Sequence, residues 1–119
     1  MPEKSLSNFY TYLNADFTVC IFYSLIPVIA KATFNGTGFS TPVIIYTVAT
    51  DKNTPQHYAG RALFLPDNTL LFSTGDGFDF REQAQVITSQ LGKLLRINLD
   101  GTIPKDNPFI NHKNPNAHA

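Results

Sequence analysis

Short runs of β-branched and aromatic residues recur along the chain, each closed by a polar cluster of Gly, Pro, Asn or Asp. RALFL (Arg61–Leu65) and TLLFST (Thr69–Thr74) face each other across Pro66-Asp67-Asn68, and that spacing predicts an antiparallel hairpin. In GKLLRINLDG, Leu95, Ile97 and Leu99 fall on one face and Arg96 and Asn98 on the other, so Gly92–Leu99 is expected to pair beside the hairpin. PVIIYTVA (Pro42–Ala49) reads as a strand at the edge of an adjacent sheet. AKATF (Ala30–Phe34) alternates until Asn35-Gly36-Thr37-Gly38 turns the chain. REQAQVITSQ (Arg81–Gln90) lacks alternation and reads as a loop or as one or two helical turns. The tail from Ile103 onward, rich in Pro and Asn, shows no core face and is expected to be loop.

The longest apolar run, FTVCIFYSLIPVIA (Phe17–Ala30), invites confusion with a membrane span. A spanning helix needs about 20 apolar residues, and this run is shorter and holds Pro27. No signal peptide is visible: Asp16 stands where a basic start belongs, and Glu3 and Lys4 cancel. Thr18, Val19, Ile21, Phe22 and Tyr23 favour one or two buried strands broken near Pro27. Taken together, the runs predict an all-β, antiparallel β-meander; a sandwich, a barrel and a propeller blade all fit this pattern. The last strand is followed only by polar loop, as in a piece of something longer.

Composition narrows the function classes. The 119 residues allow one domain at most, and the 43% hydrophobic content, with 10 Phe and 5 Tyr, is enough for a core. Nine basic residues balance nine acidic ones without a like-charge run, which argues against a nucleic-acid partner. The single cysteine, Cys20, excludes an internal disulfide or a multi-cysteine zinc site, and its apolar setting makes it an inert thiol.

Candidate chemistry centres on HYAGRALFLPDNTLLFSTGDG, where His57 stands just before the hairpin. Its side chain is the one type that ordinarily exchanges a proton near neutral pH. Gly60 and Arg61 open a strand, and Gly75-Asp76-Gly77 follows one; structural roles explain them, with Gly60 admitting a close backbone approach and Asp76 capping backbone N–H groups. Asp76, Asp79 and Glu82 lack the D-x-D-x-D-G spacing of a calcium loop, so no metal site is assigned. Asp100-Gly101 and Asp106-Asn107-Pro108 read as turns, and His112 and His118 have no partners at ligand spacing. Asn35-Gly36-Thr37 fits a glycosylation sequon, which carries no weight without a secretory signal.

The order H-x-x-G-R, P-D-x-x-L, G-D and then G-K-x-L-R-I-N-x-D-G-x-x-P-x-D-N-P-F resembles the soluble pyrroloquinoline quinone (PQQ)-dependent glucose/sorbosone dehydrogenases, which include the aldose sugar dehydrogenases. The likeness divides the chain into residues 1–30, an apolar segment that matches poorly, and residues 31–119, a partial β-propeller. It implies a fragment of a six-bladed propeller, about one blade plus part of a neighbour. It also implies PQQ and calcium as cofactors, an aldose substrate, an external electron acceptor and a periplasmic or secreted location. By position His57 is then the catalytic base that takes the anomeric proton, and it lies against the cofactor.

Gln56 occupies a substrate-touching position where the glucose-oxidising branch has an aspartate. An amide still hydrogen-bonds a sugar hydroxyl but brings no charge, so substrate preference does not transfer. The family's cofactor clamp and calcium ligands come from later blades, including a G-H-R-N-P stretch, and are mostly missing from this chain. Two functions follow: a partial sugar dehydrogenase, or a non-catalytic propeller fragment that associates through exposed strand edges.

Overall fold

A computed structural model describes residues 9–14, 17–22, 27–49 and 59–119. Two antiparallel meanders make up the fold. The first sheet has the order β1 (Phe9–Asn14), β2 (Phe17–Phe22), β3 (Val28–Ala32) and β4 (Val43–Thr47); the second has β5 (Ala62–Phe64), β6 (Thr69–Ser73) and β7 (Leu94–Asn98). The expected hairpin is present, with Leu63 opposite Leu71, and β7 pairs beside it through Phe72 and Leu95. Within the expected strand Pro42–Ala49, Val43–Thr47 forms the edge strand β4 of the first sheet. The apolar N-terminal run contributes β2 and the start of β3; the break expected near Pro27 falls partly on residues 23–26, outside the described residues. No described helix is long and apolar enough to cross a membrane.

Alternation along the strands decides which face is buried. Leu70 and Phe72 in β6 and Leu95 and Ile97 in β7 point inward, while Leu63 and Leu94 face out. The inward face of the second sheet meets Ile29 of β3 and Val48, just past β4, so a single core joins the two sheets. Tyr46 packs edge-on against Phe72, with ring centroids 5.8 Å apart. Each fully buried aliphatic side chain here, such as Leu70 or Ile97, contributes about 1.5–3 kcal/mol.

The sheets also meet backbone to backbone. Gly101 sits against β4 so closely that a Cβ would lie 1.9 Å from the Ile45 carbonyl oxygen, and its φ is +87°. Only glycine fits both conditions. Lys31 reaches from β3 to the Leu99 carbonyl.

The tail departs from expectation. It is irregular, with a 3-10 turn at Pro115–Ala117, but it is not free of the core. Ile103 and Ala119 pack against the core cluster, and Pro104, Asn107 and Ala117 are buried. Asn107 donates from one amide to the carbonyls of Arg96 and His118, 3.0 and 2.9 Å away. It therefore binds the tail to the outer edge of β7. Isolated small apolar residues among prolines carry no periodicity, so the packing left no trace in the hydropathy pattern.

Three turns at one end of the sheets use the same device. Asn35, Asp67 and Asp100 each accept, through Oδ1, the backbone N–H and the hydroxyl of a threonine two residues on: Thr37, Thr69 and Thr102. The side chain replaces a backbone acceptor and closes the turn. Arg96 ties this end together. Its guanidinium reaches Asp67 at 2.6 Å, Asp106 at 2.9 Å and the Asn107 amide oxygen at 3.0 Å, while its Nε donates to Thr69 Oγ1.

Candidate functional site

Strand direction sorts the loops into two ends. The turns just described, at 33–42, 65–68 and 99–103, lie at one end. At the other, β4 ends, β5 begins, β6 ends and β7 begins, and residues 74–93 make the long connection. Gly60, Arg61, Gly75, Asp76, Gly77, Asp79 and Glu82, all singled out in the sequence, belong to this second end. Gln56 and His57 lie outside the described residues; the chain leaves the described strands at Ala49 and rejoins them at Ala59, both at this end.

The backbone on both sides of this end is held firmly. Ser73 Oγ accepts the N–H groups of Gly60 and Arg61 at 3.3 and 3.0 Å, and Ser73 N–H donates to the Arg61 carbonyl at 2.8 Å. Where the chain leaves β4, the Ala49 N–H donates to Gln90 Oε1 at 2.8 Å. The Gln90 amide then donates to Tyr46 Oη at 2.8 Å and to the Asn116 carbonyl at 3.0 Å. Gln90 is 3% exposed and uses both ends of its amide across the seam between the sheets. Burial raises the Tyr46 phenol pKa, and the hydrogen bond from Gln90 partly opposes that rise. The sequence hid this residue. A lone Gln at the end of a polar loop looks solvated, and its three partners come from distant parts of the chain.

The loop from β6 to β7 is built on similar hydrogen bonds. Thr74, 6% exposed, donates its hydroxyl to the Gln90 carbonyl at 2.6 Å and accepts the Lys93 N–H at 3.0 Å. Arg81–Gln85 forms a 3-10 helix, as the helical-turn reading allowed. Lys93 Nζ donates to the carbonyls of Gln83, Ala84 and Leu91 at 2.8, 2.9 and 3.0 Å, so it closes the end of that helix. Burial lowers the Lys93 pKa. Asp76 caps the Phe78 N–H at 2.9 Å, the structural role read from its position. Arg81 lies over the Phe78 ring, 4.8 Å from its centroid.

Two residues at this end, Ala59 and Phe78, hold φ of 57° and 69°, a region that side chains with a Cβ adopt at a cost. A cleft of about 340 Å³ at this end is lined by Ala49, Phe80, Gln83, Thr88, Ser89, Leu91 and Asn116, a mix of polar and apolar groups.

A tricarboxylate such as PQQ needs converging cations. Among the described residues, Lys93 is committed to three carbonyls, Arg81 to an aromatic ring, and Arg96 to two carboxylates at the opposite end. These side chains do not make a clamp for that group. No cluster of three or more His, Cys, Asp or Glu groups placed to hold a metal occurs among the described residues.

The chain is 46% identical over 92 residues to an uncharacterized protein of Synechocystis, covering 70% of this chain and 22% of that protein. It is 28% identical over 120 residues to quinoprotein glucose dehydrogenase B of Acinetobacter calcoaceticus, covering 77% and 25%. It thus spans about a quarter of the length of these curated relatives. The soluble aldose sugar dehydrogenase of Escherichia coli superposes with a TM-score of 0.69 at 22% identity, over 92% of this chain and 30% of that one. That likeness shows the fold, part of a β-propeller in which the two meanders are neighbouring blades. The glucose/sorbosone dehydrogenase family model matches residues 24–119, and the chain belongs to that family.

Proposed function

We propose that, within a complete propeller, this segment supplies the general base of a PQQ-dependent aldose dehydrogenase. The observation that carries the reading is the H-x-x-G-R motif entering β5 at the loop-bearing end, in a chain of this family. His57 would accept the proton of the anomeric hydroxyl while the hydride leaves the same carbon. PQQ, with calcium, would supply the hydride acceptor in the complete propeller, and an external acceptor would receive the electrons.

The role suits imidazole. Its ordinary pKa, about 6.5, keeps a large neutral fraction at pH 7, and neutral imidazole has a lone pair for the proton. Gln56, next to it in sequence, is proposed to hydrogen-bond a sugar hydroxyl. What the described residues contribute is position. Ser73 fixes the backbone of Gly60 and Arg61 just before β5, and Gln90 fixes Ala49 just past β4, so the segment between them is anchored at both ends.

The test is His57→Asn in a complete propeller that carries this segment. Asparagine keeps a similar size and one hydrogen bond but cannot take the proton. Sugar turnover should fall by about 10²–10⁴-fold, while PQQ affinity changes little. Turnover near that of the parent would overturn the assignment and favour a non-catalytic role for the segment.

A further inference from the structure

The β3–β4 turn is chemically unlike the two other turns that share its hydrogen-bonding pattern. We propose that Asn35 is a self-modifying site: its side-chain amide is lost by cyclisation onto the Gly36 backbone nitrogen, which leaves aspartate and isoaspartate at position 35. In this step the Gly36 nitrogen loses its proton and bonds to Asn35 Cγ. The Cγ–Nδ2 bond breaks, and ammonia departs with a proton. Water then opens the cyclic imide at either carbonyl. Nothing is oxidised or reduced, and solvent is the only co-reactant.

Three features of the turn favour the step. First, access: residues 33–37 are exposed, and a Cβ built on Gly36 would meet nothing within 4 Å. The Gly36 Cα is thus uncrowded by any residue beyond its chain neighbours, and among the described residues the Gly36 N–H has no acceptor. Second, conformational freedom: Gly36 has φ of +95°, and glycine pays little to leave that value as the ring closes. Third, electrostatics: negative charge develops on Asn35 Oδ1 when Cγ becomes tetrahedral. That oxygen already accepts from Thr37 N–H at 3.0 Å, Thr37 Oγ1 at 3.0 Å and Gly38 N–H at 2.9 Å. Donors aimed at an oxygen that gains charge lower the barrier, as in any oxyanion site.

The sister turns lack one or more of these features. Asp100-Gly101-Thr102 has the same sequence spacing, but its carboxyl is held below the usual range, chiefly by the hydrogen bond from Thr102. An ionised carboxylate resists attack. Gly101 is also pressed against the Ile45 carbonyl, which blocks the required swing. Asp67 is likewise held ionised, chiefly by Thr69, and is followed by Asn68 rather than glycine. Conversion at Asn35 has consequences for the turn. Isoaspartate adds a backbone atom to a tip where Phe34 bridges Phe39, with ring centroids 4.9 Å apart. The lost amide also shifts the formal net charge of the chain from 0 to one negative.

The experiment uses the purified chain, incubated at mildly alkaline pH in its native state and, in parallel, in guanidinium chloride. Peptide mapping by mass spectrometry, with isoaspartate detected by electron-transfer fragmentation, follows each Asn and Asp. The native chain should convert at Asn35 and not isomerise at Asp100. Thr37→Val should slow the native rate about fivefold, one hydrogen bond's worth, and leave the denatured rate unchanged. Gly36→Ala should suppress conversion in both states. If Asn35 stays an amide in the native chain while the denatured chain converts fully, the proposal is wrong. An unchanged native rate in Thr37→Val would refute it as well.

Discussion

Replacing Gln90 by alanine tests the claim that one buried amide holds the two sheets together at the loop-bearing end. The substitution removes three hydrogen bonds, to Ala49 N–H, Tyr46 Oη and the Asn116 carbonyl. A typical intramolecular hydrogen bond is worth about 1 kcal/mol net, which sets an upper figure of about 3 kcal/mol. Ala49 and Asn116 are exposed, so water can replace part of what is lost. Gln90 itself is 3% exposed, and truncating it leaves a void and costs about 0.8 kcal/mol for a buried methylene. The expected net loss is about 2–3 kcal/mol, on the order of 10 °C in melting temperature for a domain of this size.

Urea denaturation followed by circular dichroism measures the loss directly. A second readout separates the hydrogen bonds from the packing. The bond from Gln90 lowers the Tyr46 pKa against the effect of burial. Gln90→Leu, which fills the space without donating, should therefore raise the Tyr46 pKa further in an ultraviolet absorbance titration. A loss under about 0.5 kcal/mol in Gln90→Ala, the scale of an ordinary surface substitution, would refute the strut.

Other perturbations follow from the same geometry. Gly101→Ala forces a Cβ to within 1.9 Å of the Ile45 carbonyl at φ +87° and should cost more than about 2 kcal/mol, against about 1 kcal/mol for Gly36→Ala, where the space is open; denaturant midpoints compare them. Thr74→Val removes a buried hydroxyl that bonds the Gln90 carbonyl and the Lys93 N–H, with an expected loss of about 2 kcal/mol by the same assay. The Asp67 and Asp106 carboxyls are held below their ordinary range, Asp67 chiefly by Thr69 and Asp106 chiefly by Arg96. Their folded-state pKa values are depressed, so the stability they give is complete above about pH 4 and is lost as pH falls through the folded values. Arg96→Met should therefore lower stability at neutral pH and flatten its dependence below about pH 4, as read from melting curves across that range.

How much the sequence revealed depended on whether a signal was local. The β5–β6 hairpin was legible because two β-rich runs flank a three-residue turn whose Asp67 and Thr69 close on each other. The face of β7 was legible because alternation has a period of two. The tail was misread because its buried residues, Pro104, Asn107 and Ala117, are spaced irregularly and meet the core through hydrogen bonds rather than a hydrophobic stripe. Asp106-Asn107-Pro108 forms a turn as read, and Asn107 in addition joins Arg96 and His118 across the tail, which the sequence did not show. The proposed site rests on sequence motifs around Gln56 and His57, while the framework of Ser73, Thr74, Gln90 and Lys93 at that end consists of common polar residues. Only their long-range partners distinguish them.

The two ends of the sheets divide the polar chemistry in a way that bears on function. At the turn end, polar groups are paired within the fold: Arg96 meets Asp67 and Asp106, and three side chains close turns onto threonines. A surface arranged this way has little left to offer a ligand. At the loop-bearing end the polar groups hold backbone instead. Gln90, Thr74, Ser73 and Lys93 all bond to main-chain N–H or C=O groups. Such bonds fix where a loop begins and ends without occupying its side chains. That is what a site needs when its reactive group, here proposed as His57, sits between two anchored strands and must meet a substrate in one orientation.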